Sequence, residues 1–121
     1  MTTEITFLGR LPGNNGVGGL LRLHWAKRKK LSERLDWIVR ASTSYCHRGA
    51  VHLELVRYST SNIPMDYDNL VSTGKLILDS IVRRKVIADD NPKVIVSRTY
   101  RQEKVKKKEE QRTVIRLIDV E

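Results

Sequence analysis

The sequence predicts an α/β protein of the α+β type: a small mixed sheet of about four strands with two helices packed on it, in the order β-α-β-α-β-β. Three observations carry that prediction. Apolar residues recur at helical spacing in two stretches, residues 23–45 and 69–84. Four shorter stretches, residues 5–8, 51–58, 93–101 and 113–120, read as strands. The chain has 121 residues, 40% of them hydrophobic, which supports one domain over residues 1–121 with a core of its own.

The first strand, Ile5-Thr6-Phe7-Leu8, closes at Gly9. Residues 11–19 then carry four glycines and Pro12, a density that specifies a loop whose backbone can approach a ligand closely. The lysine-hydroxyl pair of a Walker loop is absent, so no nucleotide cofactor is expected. In the first helix Leu31, Leu35, Ile38 and Val39 form the apolar face, and Trp37 is read with them as core. The helix starts with Trp25 and four consecutive cations, Lys27, Arg28, Lys29 and Lys30. Beside a glycine-rich loop they suggest contact with a phosphate backbone; the competing reading is a solvated helix start. Cys46-His47 reads as the end of this helix.

Val51, Leu53 and Leu55 alternate with His52, Glu54 and Val56 in a half-buried strand, with His52 at the surface. A polar loop over residues 59–64 leads to the second helix, whose core side is Leu70, Ile77, Leu78 and Ile81. Asp89-Asp90-Asn91-Pro92 is a turn with proline as a stop. The last two strands are joined by residues 102–112, read as an exposed hairpin tip whose Lys104, Lys106, Lys107 and Lys108 either touch DNA or are simply solvated.

Charge narrows the partners. Lys and Arg total 23 against 14 acidic residues, a net charge of +9 that favours a polyanion, first of all nucleic acid. No apolar run approaches the ~20 residues needed to cross a bilayer, and residues 1–10 lack the pattern of a signal peptide, so no membrane and a cytoplasmic location are expected. A lone cysteine forms no internal disulfide, and with His24, His47 and His52 it shows no zinc-ligand spacing.

In so basic a chain a group of carboxylates calls for a reason. Asp66-Tyr67-Asp68 precedes the second helix and Asp89-Asp90 follows it. Asp68 suits the helix N-cap, which accounts for Asp68 alone; in an extended segment Asp66 and Asp68 share one side. Converging carboxylates suit a hard divalent cation, which takes oxygen ligands, polarises a phosphodiester and activates a bound water.

The run Asp66-Tyr67-Asp68-Asn69-Leu70, followed by Lys75, Asp79 and Val86-Ile87-Ala88-Asp89-Asp90, resembles the D-x-D-N-L…K…D…DD signature of the RusA family of Holliday-junction resolvases. The first strand with Leu11-Pro12 and Asn14-Asn15 is similar to that family's N-terminal strand and loop. The resemblance implies a homodimeric, Mg²⁺-dependent endonuclease, with Mn²⁺ as a substitute, that cuts four-way DNA junctions by paired nicks. It assigns Asp66, Asp68 and Asp90 as catalytic metal ligands and Lys75 as a catalytic lysine. DNA contacts are expected at Asn14 and Asn15 of that loop and, from the cation run itself, at Lys27, Arg28, Lys29 and Lys30, while Asp79 and Asp89 carry no assigned role. Two positions depart from the pattern. The lysine is expected four residues after the second aspartate, where Ser72 stands; Lys75 is seven residues after Asp68, on nearly the same helical face. Lys75 and Asp79 also satisfy the spacing of a plain surface ion pair, and Gly74 could interrupt the helix between them and Asp68. Lys85 stands where a helix-ending glycine is common in that family. The alternative function is a non-catalytic basic module that holds DNA or RNA.

Overall fold

Alternation of side chains gives each strand one buried and one open face, and the pairings follow from it. The computed structural model describes residues 1–11 and 25–120. Its elements are β1 (Thr2–Leu8), α1 (Trp25–Ser42), β2 (Val51–Ser59), α2 (Tyr67–Arg83), β3 (Ile95–Lys104) and β4 (Arg112–Asp119), with a turn of 3-10 helix at Lys108–Glu110. The protein is thus of the expected α+β class and element order. The sheet order is β1-β4-β2-β3, with β2 parallel to β3 and β4 antiparallel to both β1 and β2. Ile5, Ile115, Leu55 and Tyr100 are successive register partners across it. Ile5, Ile115 and Leu55 are buried in the core.

The parallel pair explains the use of α2, because parallel neighbours need a crossover and a helix supplies one. Leu70, Ile77, Leu78 and Ile81 are buried as their spacing predicts, joined by Thr73, Gly74 and Ser80. Gly74 lies inside the continuous helix and does not interrupt it. A Cβ there would stand 2.7 Å from Tyr100 Cε1 and 3.4 Å from Leu55 Cδ1, so glycine lets α2 lie directly on the β2–β3 pair.

Three sequence expectations are corrected. β3 and β4 are not a hairpin, since β2 lies between them. The connecting residues cross the end of β2, with Val105 N donating to Ser59 O at 3.0 Å and Thr60 Oγ1 donating to Gln111 Oε1 at 3.1 Å. Trp37 is not core: Leu35 and Val39 are buried, but Trp37 is 71% exposed. At 3.6 residues per turn, two positions after Leu35 is ~200° round the helix, on its outward side. Cys46-His47 is not the helix end, because α1 stops at Ser42. His47 is 1% exposed and bridges Thr3 Oγ1 at 2.7 Å and Asp119 Oδ1 at 2.6 Å, tying the α1–β2 linker to β1 and β4. His52 is exposed as expected, 2.6 Å from Ser97 Oγ. Among the described residues no helix is long and apolar enough to cross a membrane.

Candidate functional site

The acidic residues fall at two places set by α2. At its start, Met65 is held by β3: Gln102 Oε1 accepts from Met65 N at 2.8 Å and Gln102 Nε2 donates to Met65 O at 2.7 Å. The N-cap is Asp66, not Asp68, and its side chain makes no capping hydrogen bond. Asp68 lies in the first turn, where the positive end of the helix favours a carboxylate. Both are exposed. Because Asp68 is already helical, the extended geometry that would align it with Asp66 does not form.

At the far end the chain must leave α2 sharply. Lys85 adopts φ +61°, Lys85 N donates to Val82 O at 3.0 Å and Val86 N to Ile81 O at 3.0 Å. These paired bonds are a Schellman motif, which satisfies the last carbonyls through a left-handed residue. Val86 and Ile87 then drop into the core, and the chain emerges at Asp89-Asp90. Asp89 builds the turn, its carboxylate accepting from Asp90 N at 2.8 Å and Asn91 Nδ2 at 3.0 Å. Asp90 faces α2 instead.

Lys75 ties the middle of α2 to that turn. Its Nζ donates to Asp90 Oδ2 and lies 3.0 Å from Asp79 Oδ1. The hydrogen bond to Asp90 is the largest cause raising the ammonium above its ordinary 10.5; the same bond holds the Asp90 carboxyl below its ordinary 3.8. Arg98 donates to the Asp90 carbonyl from β3, and Arg83 is tied to Asp36 of α1 at 2.8 Å. Lys75, Asp79, Arg83, Asp89 and Asp90 line an open groove of about 340 Å³. Lys75 therefore both makes the i,i+4 pair with Asp79 and reaches the acidic turn.

The structure thus brings Lys75, Asp79, Asp89 and Asp90 together in one groove, whose lining does not include Asp66 or Asp68. Asp68 and Lys75 are seven residues apart, ~10.5 Å along the axis. Among the described residues no three of His, Cys, Asp and Glu form a group able to hold a metal ion. A cage of Asp66, Asp68 and Asp90 does not stand assembled. Mg²⁺ requires less than a cage, since it commonly binds through one or two carboxylates and completes its shell with water and substrate phosphate.

Lys27, Arg28, Lys29 and Lys30 are all exposed in the first turns of α1. Asn14, Asn15 and the glycine-rich loop lie outside the described residues. Helical spacing sets Trp37 among cations, with Lys30 seven and Arg34 three residues before it and Arg40 three after. Sequence reading missed this aromatic-basic face by counting Trp37 as core. Comparison of the chain with family models and with curated proteins gave no match.

Proposed function

We propose that the protein is a Mg²⁺-dependent endodeoxyribonuclease of the RusA type that resolves four-way DNA junctions by paired phosphodiester cleavage. The observation that carries this reading is the contact of Lys75 with Asp90. It joins the lysine of the D-x-D-N-L…K…D…DD pattern to the terminal acidic pair, despite the three-residue offset. Asp66, Asp68 and Asp90 are the carboxylates that would serve the metal. The cation would polarise the scissile phosphate and lower the pKa of the attacking water. The net charge of +9 and the exposed Lys27–Lys30 run supply the attraction for DNA arms. Two copies of the chain acting as a homodimer match the two-fold symmetry of a junction.

A second reading, a basic module that holds DNA or RNA without cutting it, is favoured by Asp66 and Asp68 not lining the groove that holds Lys75 and Asp90. One experiment separates them. Purified protein is incubated with a labelled four-way junction, a duplex and a single strand, with Mg²⁺ or with EDTA. The nuclease reading expects paired nicks in the junction with Mg²⁺ and none in EDTA. Junction binding without cleavage under every metal condition favours the module, and robust cleavage in EDTA refutes the metal mechanism.

A further inference from the structure

Arg57 occupies a core position of β2, in phase with Val51, Leu53 and Leu55, and is only 5% exposed. A buried charge is expected to have a partner, because an unpaired one keeps its desolvation cost. Among the described residues no hydrogen bond or ion pair reaches its guanidinium, and the charge acting on it is another cation, Arg10. Burial and Arg10 together push its pKa below the ordinary arginine value.

The side chain lines a cavity of about 210 Å³ at the end of β2, far larger than the ~10–15 Å³ that one water needs. Ser59, Asn62 and Lys104 line it too. Ser59 Oγ accepts from Ser61 N at 3.2 Å, which leaves its own proton free to donate. Lys104 donates to Asn62 Oδ1 and keeps further N–H groups. Glu103 also borders the cavity, but its carboxylate is engaged by Arg101 at 3.1 Å. The surroundings are therefore rich in donors and short of free negative charge.

We propose that this cavity is a phosphate-binding site, in which the Arg57 guanidinium, whose nitrogens keep access to the cavity, takes a phosphoryl group with Ser59, Asn62 and Lys104 as further donors. A planar guanidinium offers two parallel N–H donors to such a group, and the bound anion supplies the counter-charge that the fold withholds. Pro64 lines the same cavity, two residues before Asp66, the N-cap residue of α2. The site does not depend on the nuclease reading, and its test uses neither Mg²⁺ nor cleavage.

The test is thermal unfolding of the whole chain titrated with inorganic phosphate at constant ionic strength, for wild type, Arg57→Met and Lys104→Met. Phosphate should raise the wild-type melting temperature and bind Arg57→Met at least ~10-fold more weakly, as removal of a charge-assisted bidentate interaction requires. Lys104→Met, a change at an exposed residue, should show an intermediate response. In phosphate-free buffer Arg57→Met should melt no lower than wild type, since it removes an uncompensated buried charge. An equal phosphate response in all three proteins overturns the proposal. So does an Arg57→Met chain that unfolds or melts well below wild type, because the guanidinium is then a structural donor. Competition by a short oligonucleotide with hydroxyl ends assigns the site to backbone phosphodiesters; competition only by the 5′-phosphorylated form assigns it to phosphate monoesters.

Discussion

Lys85→Gly should stabilise the protein, and the size of the effect follows from one dihedral angle. Lys85 holds φ +61° to close the Schellman turn, a conformation that a Cβ makes costly by ~1–2 kcal/mol. Glycine removes that cost but returns ~0.4–1 kcal/mol through the greater freedom of its unfolded chain. The net gain is about 0.5–1 kcal/mol, or roughly 2–5 °C in melting temperature for a domain of this size. Lys85 is exposed, so removing its side chain opens no cavity. Lys85→Ala is the control: it loses the same charge and keeps the Cβ, so it should melt with wild type. Thermal and urea unfolding followed by circular dichroism reads all three. If Lys85→Gly is no more stable than Lys85→Ala, the left-handed turn is not the source of strain, and the account of how the chain is aimed toward Asp90 fails with it.

Asp66→Asn, Asp68→Asn and Asp90→Asn should each abolish junction cleavage while binding is kept or tightened, as read by gel shift beside the nicking assay; joint loss of both activities would make these carboxylates structural. Asp66→Asn should leave the melting temperature nearly unchanged, since Asp66 makes no capping hydrogen bond. DNA affinity should fall steeply with salt, and neutralising Lys27 and Lys30 should flatten the log–log slope by about 0.9 for each phosphate left without its cation; an unchanged slope would assign them to solvent. The Lys75–Asp90 pair should contribute under ~1 kcal/mol, because the lysine is largely exposed. Asp90 titrates lower in the folded state, so its share is present above pH 3.8 and fades as pH falls through the depressed value. Lys75 titrates higher, so its share is present below pH 10.5 and fades as pH rises through the raised value. The stability difference between wild type and Lys75→Met should therefore be flat across neutral pH, and a slope there would contradict the pairing.

The elements were legible because each carries its own period. Leu70, Ile77, Leu78 and Ile81 identify the buried side of α2 without any tertiary information. Strand adjacency was not legible: charged residues between two strands look the same whether the strands pair or a third lies between them. Trp37 was misread because apolar character outweighed phase, although Leu35 and Val39 already fix the buried side. Arg57 shows the converse, a charge in the core phase of a strand, which is visible in the alternation alone. His47 depends on partners 44 and 72 residues away, which no local pattern contains. In the candidate site the pattern located every acidic residue, and helix geometry carried Lys75 to Asp90. What it did not contain is that Asp68 is helical from the outset, so that it does not lie extended beside Asp66.

How the two acidic groups could act on one phosphate is constrained by what holds α2. Gln102 anchors the backbone at Met65, the glycine at position 74 seats the helix against Leu55 and Tyr100, and Arg83 bonds to Asp36 of α1. A helix fastened at its start, middle and end does not slide. Any closer approach of Asp90 to Asp68 must come from the turn at Asp89-Asp90, whose side-chain ties to other elements among the described residues are Lys75 and Arg98. The first is an exposed ion pair, the kind that contributes least to stability and yields first to a competing ion, and the second is an exposed hydrogen bond to a backbone carbonyl. Under the proposed function Asp90 would be one of the carboxylates holding a divalent cation, which would supply Lewis-acid chemistry there, and Lys75 would then be able to donate to a phosphate instead. Lys75, which pairs with Asp90 in the free protein, would under that proposal trade this exposed partner for the substrate, while the anchored helix keeps its place.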